Sequence, residues 1–273
     1  SPNGPLFPDS CYGYQGSIKR HLFMAASVGK LPSRKRPLRL LEVGSWLGNS
    51  ALTWIQAADH YLPLRDGLKA ELLCVDPWEL QDVTLGPTSV KMNSVVEDDF
   101  AYRLFLHNIS FAPNSVRVQH FRGTGREVLP LLRDGYYDMV YVDGSHRYDD
   151  VLEDIQHAKR LLAPGGIICG DDLELQLHQL SPEFHETARG VINDLGASTR
   201  IFNELNTMGI PETAPIKEFA EKGAYPPFHE GVTFAVAEAF GEVTEVLGYW
   251  LMREVAGAFK QVDISDFQYD FIP

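Results

Sequence analysis

Two short runs carry residue types that chemistry needs. Tyr141-Val142-Asp143-Gly144-Ser145-His146 ends an apolar stretch in a carboxylate and then an imidazole. Gly170-Asp171-Asp172 ends the next apolar stretch in two carboxylates. If the two stretches are neighbouring strands, Asp143, Asp171 and Asp172 share one edge, and three carboxylates in one site repel unless a cation neutralises them. All-oxygen donors suit a hard divalent ion such as Mg²⁺, whereas Zn²⁺ would want more His or Cys. His146, three residues after Asp143, is placed to take a proton, and a metal-polarised hydroxyl beside an imidazole is a competent nucleophile. The alternative is that these acids cap helices and face solvent.

A second constellation lies earlier. Leu41-Glu42-Val43-Gly44-Ser45-Trp46-Leu47-Gly48-Asn49-Ser50 reads as strand, glycine turn and helix start. Gly44 would let the backbone pass close to a ligand. Its G-x-x-x-G spacing differs from the G-x-G-x-x-G of dinucleotide sites; a ligand with a single carboxylate needs only helix-start amides with Asn49 or Ser50. Asp76 ends the next apolar run, 32 residues past Gly44, where a carboxylate can accept from a ribose diol. Dinucleotide folds place theirs about 20 residues on. A helix cap ahead of Pro77 is the other reading of Asp76.

The elements that must position these groups alternate. Strands are expected at Leu38–Val43, Leu72–Val75, Val116–Phe121, Met139–Val142 and Gly166–Cys169. Helices are expected over 18–28, 50–60, 95–109, 126–133 and 149–162. Such alternation implies right-handed crossovers and a mostly parallel, doubly wound α/β sheet with helices on both faces. Ligands bind beyond the carboxyl ends of such strands, and Gly44, Asp76, Gly123, Asp143 and Asp171-Asp172 all fall there. After Asp172 the rhythm breaks. The expected organisation is an N-terminal arm and helix (1–37), a core (38–173), a cap-like or oligomerisation insertion (174–228) and a C-terminal completion (229–273). The completion holds a helix over 231–240 and one or two strands within 243–255.

The run LEVGSWLGNSALTW followed by LLCVDPW resembles the first two motifs of class I S-adenosylmethionine (SAM)-dependent methyltransferases. That resemblance, over about 38–172 and again 229–255, implies a Rossmann-like fold. It implies that Glu42 and Gly44 line the methionine moiety, that Ser45 and Ser50 sit near its amino and carboxylate groups, that Asp76 holds the ribose and that Trp78 packs beside the adenosine. Arg122-Gly123-Thr124 followed by Glu127-Val128-Leu129-Pro130 resembles the third motif, which implies Gly123 and Thr124 near the adenine; Asp143 completes the cofactor-binding set. The Asp143-x-x-His146 turn with the paired acids is similar to the metal-dependent O-methyltransferases of macrolide sugars and related metabolites. There Asp143, Asp171 and Asp172 would bind Mg²⁺ and His146 would be the base. Those enzymes often carry Glu-Asp where this chain has Asp171-Asp172.

Bulk properties narrow the partners. With 37 acidic against 24 basic side chains and a net charge of −13, the surface repels nucleic acid and anionic membranes. The run Arg34-Lys35-Arg36 with Arg39 reads as a solvated loop. No apolar stretch approaches a membrane span, and Cys11, Cys74 and Cys169 form no metal spacing. The thiols suit a reducing compartment, so a cytoplasmic protein is expected, with a small-molecule acceptor and a homo-oligomer as a possible state. His178, His185 and His229 read as surface residues. Against O-methylation stand transfer to nitrogen, metal-independent O-transfer, a nicotinamide-dependent oxidoreductase, and a cofactor binder without catalysis.

Overall fold

Strand residues of this chain alternate between two apolar faces, and both faces are covered. The structure, a computed structural model, describes residues 3–7, 18–79, 97–180, 182–189, 192, 228–265 and 267. Most of the 174–228 insertion lies outside these residues, as do Cys11, Tyr12 and Tyr14. In chain order the helices are α1 (Ile18–Gly29), α2 (Asn49–Tyr61), α3 (Phe100–Ile109), α4 (Gly125–Val128), α5 (Tyr148–Leu161), α6 (Pro182–Arg189) and α7 (Glu230–Phe240). The strands are β1 (Leu38–Val43), β2 (Ala70–Asp76), β3 (Val116–Arg122), β4 (Tyr137–Val142), β5 (Leu162–Leu173), β6 (Thr244–Val246), β7 (Gly248–Val255) and β8 (Ala258–Gln261).

One eight-stranded sheet has the order β3-β2-β1-β4-β5-β7-β6, with β8 paired to β7. The first five strands in that order are parallel, and β7 returns antiparallel to β5. Because strand side chains alternate, Leu40, Leu72, Met139 and Ile167 join one core beneath α1 and α2. Leu41, Val75, Val140 and Ile168 join the other, beneath α5 and α7. Each such side chain, fully buried, contributes roughly 1.5–3 kcal/mol. The doubly wound, mostly parallel sheet expected from the alternation is what the chain forms.

Three details differ from expectation. The helix expected over 126–133 is one turn, α4, followed by a 3₁₀ turn at Leu129–Leu131; Pro130, which has no N–H to give, sits inside that turn. A further strand, β8, follows β7 through Ala256-Gly257, both at positive φ (53° and 84°), the geometry of a tight two-residue hairpin. The basic run is not a solvated loop. Asp138, wholly buried near the start of β4, accepts from Arg34 Nε (3.0 Å), Arg36 Nη1 (2.6 Å), Arg36 Nη2 (3.2 Å) and the Arg39 amide (2.9 Å). Those arginines satisfy a carboxylate that would otherwise be buried unpaired.

The strand order reverses between β1 and β4, and the carboxyl ends there are stitched together. Gly44 N donates to Val75 O (2.8 Å), Asp143 N to Val43 O (2.8 Å) and Gly123 N to Asp76 O (3.1 Å). The edge expected to carry chemistry is therefore one continuous rim. From the N-terminal arm, Leu6 exchanges backbone hydrogen bonds with the Asn108 side chain (2.6 and 3.0 Å), and Asn108 also donates to Leu47 O (2.8 Å). Residues 3–7 are thus pinned to α3 and the glycine turn. Among the described residues no helix is long and apolar enough to cross a membrane.

Candidate active site

The glycine turn between β1 and α2 closes around Asp76. Its Oδ2 accepts from the amides of Ser45 and Trp46 (2.9 Å each), and its Oδ1 accepts from Trp78 N (2.6 Å). Burial pushes the Asp76 carboxyl up, and these amide bonds oppose it. A carboxylate has about four acceptor positions, so most of Asp76's capacity holds the turn. Gly44 has a second reason to be glycine besides the one its spacing suggests. At φ +86°, a Cβ there would lie 1.9 Å from the Asp143 carbonyl oxygen and 2.7 Å from Gly144 Cα, so the close approach is between the ends of β1 and β4.

Glu42 presents no surface to a ligand. Wholly buried, it accepts from Ser45 Oγ at 2.6 Å and from Trp54 Nε1 at 3.1 Å. Burial raises its carboxyl to about 7, against hydrogen bonds from Ser45, Ser50, Cys74 and Trp54. It braces Ser45 and Ser50, the two serines expected near the methionine end. Trp78 is likewise buried: its ring stands 4.6 Å from Phe105 and 4.9 Å from Tyr102, and its Nε1 donates to Trp46 O at 2.7 Å. Thr124 caps α4 in a reciprocal pair with Glu127, beside the half-buried Gly123.

Across the β1–β4 reversal, the acids meet. Tyr141 Oη lies 3.0 Å from Asp143 Oδ2 and 3.4 Å from Asp171 Oδ2, which brings the ends of β4 and β5 together as expected. Asp171 Oδ1 accepts from Arg20 Nη1 at 2.8 Å, so α1 delivers a guanidinium into the cluster. Burial and then Asp172 push Asp171 up to about 7, with Arg20 opposing. Burial, Asp172 and Asp171 hold Asp143 well above the carboxylate range. Arg20 was not anticipated: it stands 151 positions from Asp171, and its own helix gives no sign of it.

Asp172 turns the other way. It sits in the bulge that shifts the β5–β7 register, at φ +62°. Its Oδ2 is 2.8 Å from His146 Nε2, and its Oδ1 is 3.8 Å from His229 Nδ1. Burial would raise Asp172, but His229 and His146 hold it well below the usual range. His229 is not a plain surface residue: it leads into α7, its ring lies 4.2 Å from the His146 ring at a tilt of 50°, and its Nδ1–H donates to Glu174 Oε1 (3.1 Å). Burial would lower it, yet Asp172 and Glu174 raise it to about 9. The backbones carrying the two histidines come close at Gly231, where a Cβ would meet His146 O at 2.1 Å. Among the described residues, the His/Cys/Asp/Glu donors that gather within 4.8 Å of one another are His146, Asp172 and His229. Asp143 and Asp171 fall outside that group.

One buried acid stands behind the rim. Asp154, on α5, faces Gly125 and Gly144, and burial, then Asp150 and Glu153, raise it to about 7. Its folded value exceeds the ordinary 3.8, so the folded state keeps a proton the unfolded chain releases, and stability falls as pH rises from 3.8 to about 7. Asp154→Asn removes that share. Thermal melts across this window should show the variant losing stability less steeply than the parent, by on the order of 1–4 kcal/mol over the range. Parallel slopes would contradict the assignment.

Residues 41–173 match the family described as "Methyltransferase domain" (Methyltransf_24), across the glycine turn, Asp76, the Asp143–His146 turn and the acid pair. Over this segment, just under half of the chain, the protein is similar to a methyltransferase domain. A Sinorhizobium fredii protein described as uncharacterised is 26% identical over 143 residues, 52% of this chain and 14% of that protein. Among solved structures, an O-methyltransferase family protein from Burkholderia thailandensis is 14% identical, covering 85% of this chain and 56% of that one, with a TM-score of 0.43. An O-methyltransferase from Bacillus cereus in complex with SAH is 14% identical, covering 64% and 71%, with a TM-score of 0.36. The chain thus spans 14% of the length of the curated relative it matches. The matched segment ends at the bulge that holds Asp171 and Asp172, and His229 enters from beyond it.

Proposed function

We propose that the protein transfers the methyl group of SAM to a hydroxyl oxygen of a small molecule, with His146 as general base and a divalent cation assisting. The observation that carries this reading is the 2.8 Å contact between His146 Nε2 and Asp172 Oδ2, on the same rim as the Gly44–Asp76 turn. With Nε2–H donating to the carboxylate, Nδ1 keeps its lone pair and faces away from Asp172. Asp172 then orients the ring and stabilises the imidazolium formed when Nδ1 takes the hydroxyl proton. The S–CH₃ bond breaks as the O–CH₃ bond forms, leaving S-adenosylhomocysteine (SAH), a methyl ether and protonated His146. Gly44, Ser45, Ser50, Asp76, Gly123 and Thr124 are the proposed cofactor residues. Glu42 acts through Ser45, and Trp78 acts by holding Trp46.

Carboxylate oxygens such as those of Asp143, Asp171 and Asp172 are the donors a hard cation such as Mg²⁺ takes. Here Asp172 is turned to His146 and Asp171 Oδ1 accepts from Arg20, so to share one ion the carboxylates would have to turn toward each other. The raised carboxyls of Asp143 and Asp171 mark the charge that such an ion would relieve. When bound it would lower the acceptor's pKa. The acidic surface suits a small acceptor rather than a polyanion.

The test is SAH production from SAM over a panel of sugar, phenol and aliphatic hydroxyl acceptors, with EDTA and with Mg²⁺ restored. Turnover on an oxygen acceptor that EDTA abolishes and Mg²⁺ recovers is expected. Turnover unchanged in EDTA would remove the metal from the reading, and methylation confined to nitrogen acceptors would remove the hydroxyl.

A further inference from the structure

The methyltransferase reading uses His146 and Asp172 but gives His229 no task, although three elements converge to place it. His146 comes from the turn after β4, Asp172 from the β5 bulge and His229 from the residue before α7. All three side chains reach solvent, with relative exposures of 45%, 21% and 29%. In a tetrahedral site with metal–ligand lengths of about 2.0–2.2 Å, neighbouring donors stand roughly 3.3 Å apart. With one donor atom from each residue, the three lie within 4.8 Å of one another; Asp172 Oδ2 is 2.8 Å from His146 Nε2 and Asp172 Oδ1 is 3.8 Å from His229 Nδ1. Glu174 Oε1, 3.1 Å from His229 Nδ1, is the nearest further oxygen donor. Packing at Gly231 holds the backbone of both histidine segments together, so the pair is a built feature.

We infer that His146, Asp172 and His229 form a binding site for a borderline transition-metal ion such as Zn²⁺, a set that shares only Asp172 with the all-carboxylate set of Asp143, Asp171 and Asp172. Two imidazoles and one carboxylate favour Zn²⁺ or Co²⁺ over Mg²⁺, which prefers oxygen donors and keeps its waters. An ion held there would be bound through His146 Nε2, which leaves the ring's proton on Nδ1, the atom that would otherwise take the hydroxyl proton. Zn²⁺ is therefore an inhibitor of the transfer, whereas Mg²⁺ supports it. The inhibition rests on His146 being the base; the binding site does not.

The experiment is a titration of Co²⁺ into the purified protein, read by its visible d–d absorption, with SAH binding measured on the same samples. One Co²⁺ per chain should produce a band that Zn²⁺ bleaches and Mg²⁺ leaves in place. His229→Asn, or His229→Gln as a second replacement, should weaken Co²⁺ by more than the roughly 10–100-fold lost when a residue that only orients a ligand is removed. SAH binding retained by either variant shows that it is folded. Saturating Zn²⁺ should lower turnover by about 10²–10⁴-fold, the contribution of a general base. No band in the parent protein, or unchanged Co²⁺ affinity in a folded His229 variant, overturns the site. A Co²⁺ band without SAH binding leaves the metal site standing and removes the methyltransferase reading instead. Full turnover at saturating Zn²⁺ overturns the inhibition.

Discussion

His146→Ala should lower methyl transfer by about 10²–10⁴-fold while SAH binds as it does to the parent protein. The separation of the two effects follows from position. His146 lies in the turn after β4 and touches Asp172, whereas the Gly44–Asp76 turn is held by its own amide bonds. Removing the imidazole therefore deletes the proton acceptor without disturbing the cofactor turn. Asp172→Asn should act in the same direction by another route: an amide can hydrogen-bond the ring in the wrong tautomer and cannot stabilise an imidazolium. Steady-state turnover and SAH titration on each variant check this. Turnover retained by His146→Ala would show that another group takes the proton; loss of SAH binding would show that His146 shapes the cofactor site.

Gly44→Ala should be the most damaging single-methyl change at the rim. The added Cβ would meet the Asp143 carbonyl oxygen at 1.9 Å and its carbon at 2.4 Å, both backbone atoms just past the end of β4. Relief requires the ends of β1 and β4 to separate, which breaks the Asp143 N to Val43 O bond. A left-handed φ for a side-chain residue costs roughly 1–3 kcal/mol. Overpacking adds about 1–3 kcal/mol. The melting temperature should fall by about 2–4 °C for each kcal/mol lost. Gly135→Ala separates the two terms, because Gly135 is at φ +60° with open space around its Cβ position. It should lose only the backbone part. Equal losses at both positions would show that the contact between strand ends carries no weight.

The rim was legible in the sequence because its parts are local. Strand ends, the glycine turn and the two acidic runs lie within short windows, and alternation alone aligns them along one edge of a parallel sheet. What was hidden depends on distant partners. Arg20 reaches Asp171 from 151 positions away, and His229 reaches Glu174 across 55. Neither helix start carries a pattern that announces it. Residue type alone also could not show that Gly44 is needed against the neighbouring strand end, since a glycine needed against a ligand and one needed against a strand look alike in one dimension. The basic run reads as solvent-facing until Asp138, itself inside an apolar strand, is seen to need it.

The most direct test of the central claim is an isothermal titration of SAH into the protein, with and without Mg²⁺, and with NAD in parallel. Saturable binding of SAH, none of NAD, and loss of the SAH signal in Asp76→Ala are the results predicted. Absence of SAH binding in both conditions would contradict the account, and the Gly44 turn with Asp76 would then stand as structural features alone.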